Sequence, residues 1–155
     1  MPEKTIWTRI PISGHPCDLE ERDLDFFFHY DIFPPAILKF FGEWQLHHRA
    51  MKVGDVIVQQ AHVPPVSIGL KLLFGVRVLS VYRSSEMAGF RYGTLMGHPE
   101  TGTNEFSFSV DETSLFAAIR TVAMPGLLLS CILAPVFTKA YVAYCNAPSA
   151  RTDER

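Results

Sequence analysis

Between Val56 and Met124 the chain repeats one pattern, a run of alternating apolar and polar residues followed by a short turn. The runs read VIVQQAHV, SIGLKLLFGVRVLSVYR, AGFRYGTLMG, NEFSFSV and LFAAIRTVAM. A period of two sends successive side chains to opposite faces, the mark of half-buried strands. Connections such as HPETGT and DET are too short for a crossover helix, so neighbouring runs pair antiparallel, as a meander. This constrains the chain more than any other feature. In the longest run Ile68, Leu70, Leu72, Phe74, Val76, Val78 and Tyr82 share one face, with Lys71, Arg77 and Arg83 on the other. That length is awkward for a flat strand, and Gly75 is the expected bend or bulge.

The flanks read differently. In DLDFFFHYDIF, Leu24, Phe26, Phe28, Tyr30 and Ile32 alternate with Asp23, Asp25, His29 and Asp31, which predicts a first strand. Pro34-Pro35 suits a helix start, and Ile37, Phe41 and Trp44 follow at helical spacing, predicting a short helix over 34–44. At the other end GLLLSCILAPVFTKAYVAYC is apolar over about twenty residues, the length of a membrane span. Lys139 lies inside it, Pro135 interrupts it, and basic flanks at both ends are missing. The segment from about 127 to 144 therefore reads as a core helix packed on the sheet, without stable membrane insertion.

A chain of 155 residues with 12 Phe fills one domain with a bulky core, here 1–146. Residues 147–155 lack apolar periodicity and read as a disordered tail. A net charge of −2 with no basic run excludes a nucleic-acid partner. Cys17, Cys131 and Cys145 are odd in number and lack metal or redox spacing, and MPEKTIWTRIPIS lacks the apolar core of a secretory signal. Both point to a reduced, cytoplasmic protein.

Strand, short helix, meander and final apolar helix describe an α+β helix-grip domain. In it a curved antiparallel sheet wraps a long C-terminal helix, with one short helix after the first strand. The stretch GFRYGTLMGHPETGTNEFSF resembles the signature GFxYGTLxGHPExGEExF of a family of uncharacterised proteins in the START-like, helix-grip superfamily. GVRVLSVYRSSEMA before it, and the strand with Ile119-Arg120 and Met124-Pro125 after it, are similar to the same family, so the likeness runs from about Gly54 to Tyr144. This chain departs from the pattern where Thr103-Asn104-Glu105 replaces paired glutamates and Ala123-Met124-Pro125 replaces Ser-Arg-Pro. The resemblance implies the fold, and with it a ligand cavity between sheet and helix, but no activity.

Chemistry concentrates at the HPE turn. Gly93 and Gly97 suit close backbone approach, Pro99 the turn entry and Gly102 a positive φ, so a hairpin accounts for them all. His98 and Glu100 exceed what such a turn needs. A His there can act as acid or base, oriented by Glu100 or Glu105. The plainer reading, that His98 locks the hairpin by local bonds, is preferred because the motif carries no nucleophile. His47, His48 and His62 add no metal-ligand spacing, so neither metal nor cofactor is assigned. Arg120 shares a strand face with Phe116, Ala118 and Val122 and requires a carboxylate, Glu105 or Glu100, or a ligand anion. The leading expectation is a small, largely apolar ligand oriented by Tyr92, Thr94, His98 and Arg120. The alternatives are acid–base or metal-assisted hydrolysis by His98 with Glu100 or Glu105, and an interaction protein with a filled core.

Overall fold

In a computed structural model, residues 3–12, 19, 23–33, 35–62, 71–98 and 101–124 are described. The strands are β1 (Lys4–Ile12), β2 (Leu38–Gly42), β3 (Val56–His62), β4 (Lys71–Arg83), β5 (Met87–Thr94), β6 (Thr101–Val110) and β7 (Leu115–Met124). Two single-turn helices, α1 (Asp25–Phe28) and α2 (Glu43–Leu46), lie between β1 and β3. All strands join one antiparallel sheet in the order β1-β7-β6-β5-β4-β3-β2. β3 to β7 are the five alternating runs, and their meander is as expected. The predicted C-terminal helix, at about 127–144, and the 147–155 tail lie outside the described residues.

The N-terminal third departs from expectation in three places. β1 pairs along β7 from Lys4 opposite Ala123 to Ile12 opposite Leu115. It is an edge strand, which is where Pro11 can be accommodated. The predicted strand at 23–33 is instead α1 and a turn. Leu24 and Phe27 are buried and Phe28 half-buried, an i, i+3, i+4 set, and the N–H groups of Phe27 and Phe28 both donate to Leu24 O, at 3.0 and 3.1 Å. One helical turn lets three consecutive phenylalanines reach the core, whereas a strand would turn Phe27 away from its neighbours.

The predicted 34–44 helix is instead β2 followed by α2. Leu38 and Gly42 are buried while Lys39 and Phe41 are exposed, so period two wins over the helical spacing of Ile37, Phe41 and Trp44. The Trp44 ring lies over Gly42, where any Cβ would overlap it.

The sheet has a buried inner face and an outer face. Ile57, Val76, Val78, Phe90, Phe106, Phe108, Leu115 and Ala117 face inward, covered by Phe27, Tyr30 and Phe33. Burying a side chain of this size contributes about 1.5–3 kcal/mol, so this layer dominates the stability. The register of β4 against β5 shifts between Val78 and Ser80, which puts the bulge at Leu79 and not at Gly75. The shift brings Val81 opposite the inward Phe90 and moves Tyr82 opposite Gly89, away from the face of Val78.

Candidate functional site

An unbroken apolar inner face would be the simplest outcome of this alternation, but a polar stripe crosses it. Tyr92 on β5 stands opposite Asn104 on β6, and Asn104 opposite Thr121 on β7. All three occupy inward positions, two residues along from Phe90, Phe106 and Ile119. The Thr121 hydroxyl donates to Asn104 Oδ1 at 2.6 Å. On the other side Tyr30, from the turn after α1, donates its hydroxyl to Tyr92 Oη at 3.4 Å. Gln59 on β3 donates its Nε2 to Tyr30 Oη.

Tyr30, Gln59 and Tyr92 are buried, and Asn104 and Thr121 are half-buried. Burial raises the Tyr30 hydroxyl well above its ordinary pKa, helped by the neighbouring Tyr92 phenol and opposed by the Gln59 amide. It is a neutral phenol throughout the physiological range. Aromatic edges frame it: Phe40, Phe90 and Phe33 meet the Tyr30 ring at 5.1, 5.8 and 6.2 Å between centroids.

Thr94 stands opposite the inward Val76, and its Oγ1 accepts the Gly102 N–H at 3.0 Å. Gly102 does not have the expected positive φ, which belongs to Gly97 (φ 87). What Gly102 supplies is close approach, because a Cβ there would overlap Val122 O on β7. His98 donates its N–H to Leu95 O at 3.1 Å, and its ring meets Phe74 edge to face at 4.4 Å. Phe74 stands opposite Gln59, so His98 sits beside the β3–β4 end of the stripe.

Other sequence-predicted site residues lie elsewhere. Arg120 is exposed on the outer face, opposite Glu105, which is itself opposite Arg91. Alternating charges across β5, β6 and β7 suit cross-strand pairing in water. Glu105 and His98 are therefore on different faces. Glu100, the three cysteines and the His62 side chain lie outside the described residues, and His47 and His48 are exposed after α2. Among the described residues no three His, Cys, Asp or Glu side chains group as metal ligands, and no helix is long and apolar enough to cross a membrane.

Sequence reasoning reached Tyr92 and Thr94 but missed Tyr30, Gln59, Asn104 and Thr121. Asn104 carried a readable signal, a polar residue in phase with Phe106 and Phe108. Tyr30 carried none, since its place depends on the α1 turn.

Comparison with known proteins gives the family. The model of the family described as Domain of unknown function (DUF1990) matches residues 13–147. The chain belongs to the DUF1990 family. No curated protein sequence matches it significantly.

Among solved structures, the ginseng major latex-like protein 151 from Panax ginseng is similar, with TM-score 0.58 and 14% identity over 94% of this chain and 96% of that one. The di-domain ARO/CYC StfQ from the steffimycin biosynthetic pathway gives TM-score 0.60 and 9% identity over 99% of this chain and 52% of its own. Protein Ms6760 from Mycobacterium smegmatis gives 0.58 and 12% over 92% and 88%. Likeness at such identities is one of fold: these neighbours are of the helix-grip type, and this chain shares their curved antiparallel sheet.

Proposed function

We propose that this DUF1990 domain binds a small, largely apolar ligand between the inner face of its sheet and the 127–144 segment that the sequence predicts to be helical. Tyr30, Gln59, Tyr92, Asn104 and Thr121 orient it, with Thr94 and His98 at the margin. One observation carries this reading: a hydrogen-bonded polar stripe crosses a face otherwise built of aromatic and aliphatic side chains. Burying polar groups costs stability unless they are paired, and a core has no need of them. A ligand site does, since such sites are mostly apolar with a few placed polar groups. The helix-grip fold gives general support. Arg120 has no part in the site and serves the outer face beside Glu105.

Native mass spectrometry of the purified chain tests the proposal, with a bound apolar species released on denaturation as the expected result. Thr121→Trp, at a half-buried position on the stripe, is expected to abolish binding of 1-aminoanthracene while the melting temperature is retained. Dye affinity indifferent to that change would place the dye on the surface.

A second reading has its own observation. On the outer face Phe41, Val58, Leu73 and Leu79 are 46%, 40%, 71% and 41% exposed, with Phe41 directly opposite Val58. Such a row suits an interaction protein with a filled core. Under that reading Val58→Lys and Leu73→Lys remove association, and Thr121→Trp has no effect on it.

A further inference from the structure

The direction of the hydrogen bonds on the stripe narrows the ligand, if the reading above holds. Asn104 Oδ1 already accepts the Thr121 hydroxyl, and the Nδ2 hydrogens of Asn104 have no partner among the described residues. Thr94 Oγ1 already accepts the Gly102 N–H, and its own hydroxyl proton has no acceptor among them. Gly102 and Asn104 are two residues apart on β6, so the two groups sit diagonally across the β5–β6 ladder on one face.

One buried side-chain atom without a hydrogen-bond partner among the described residues points the same way. It is Trp44 Nε1, also a donor. The Trp44 ring lies over Gly42, in the cross-strand row Gly42–Ile57–Val76–Thr94. Asn104 Nδ2, the Thr94 hydroxyl and Trp44 Nε1 each keep a hydrogen to donate among the described residues.

Charge narrows it further. Gln59, Tyr30, Tyr92, Thr94, Asn104 and Thr121 are all uncharged at neutral pH. Arg77, Arg91 and Arg120 stand in outer-face register opposite Val56, Glu105 and Trp7. The cation in row with Thr94, Lys4, is exposed on the edge strand β1, two strands beyond Gly102. Among the described residues a carboxylate here would lose water without gaining a counter-charge, which is costly. A neutral carbonyl oxygen accepts two hydrogens and carries no such cost.

We propose that the stripe recognises the carbonyl oxygen of a neutral ligand with an apolar, ring-bearing body, held by Asn104 Nδ2 and Thr94 Oγ1. The rings of Tyr30, Phe90 and Phe106, packed on one another beside the stripe, give the apolar surroundings such a body would meet.

Equilibrium dialysis against three matched probes tests this: 2-acetylnaphthalene, 2-ethylnaphthalene and 2-naphthoate. The wild-type chain is expected to bind the ketone roughly five- to a hundredfold more tightly than the hydrocarbon, the range of two neutral hydrogen bonds. The carboxylate is expected to bind more weakly than the ketone. Asn104→Leu is expected to remove most of the ketone's advantage over the hydrocarbon, with both affinities measured on the same variant. Asn104→Asp, which keeps an acceptor for Thr121 but removes the donors, is expected to lose the preference too.

Equal affinity for ketone and hydrocarbon in the wild type overturns the carbonyl assignment while leaving the pocket standing. A carboxylate bound most tightly, or a ketone preference that survives both variants, overturns it as well. Failure of all three probes to bind refutes the ligand-binding reading itself.

Discussion

Tyr30 carries an aromatic side chain on a left-handed backbone, φ 65. That conformation costs a non-glycine residue about 1–2 kcal/mol, so its surroundings must hold it there. The holding groups are the ring contacts to Phe40 and Phe90 and the amide of Gln59. Removing only the hydroxyl, Tyr30→Phe, strands the buried Gln59 amide. Denaturant unfolding is expected to show a loss of about 1–3 kcal/mol, the cost of an unsatisfied buried group. Tyr30→Phe combined with Gln59→Leu is expected to recover part of it, since an apolar pair leaves nothing unsatisfied. A neutral Tyr30→Phe would mean that the hydroxyl contributes nothing to the fold.

Among the elements, the turn between α2 and β3 is fixed by charge. Arg49 grips Asp55 with both terminal nitrogens, Nη1 to Oδ2 at 2.7 Å and Nη2 to Oδ1 at 2.6 Å, and the Lys52 N–H adds a third bond at 2.9 Å. These hold the Asp55 carboxyl below its usual range, Arg49 contributing most and burial opposing. A carboxyl held low stabilises the fold above its unfolded pKa, about 3.9, and that stability disappears as pH falls through the lower folded value. Asp55→Asn is therefore expected to melt earlier than the wild type at pH 7 and pH 5, with the gap closing toward pH 3. A gap that stays constant across that range would rule out the charged pair as its source.

At this scale, too, lies the division between what could and could not be read in the sequence. β3 to β7 were legible because each has one buried and one open face, so burial prints a period of two on the sequence. α1 and β2 were not, because their neighbours override local pattern. Phe26, Phe27 and Phe28 serve a single turn, and Gly42 is chosen for the Trp44 ring above it. β1 was missed because Thr8 interrupts the phase of Ile6, Ile10 and Ile12 while Trp7 stands in the phase of Arg9, so no clean alternation is printed. Of the site, the sequence carried Tyr92 and Thr94 as parts of a motif. It could not carry the meeting of Tyr30 with Gln59, which depends on packing between distant segments.

For the whole molecule, two faces compete to explain what the domain does. The inner face carries the stripe and the aromatic wall, and the outer face carries the apolar row around Phe41, Val58 and Leu73. The central claim is that a ligand occupies the inner one. The most direct measurement is a set of intermolecular nuclear Overhauser effects between 2-acetylnaphthalene and side-chain-labelled protein. Cross-peaks from the probe to Tyr92, Asn104 and Thr121 are the predicted result. Cross-peaks confined to Phe41, Val58, Leu73 and Leu79 would contradict it.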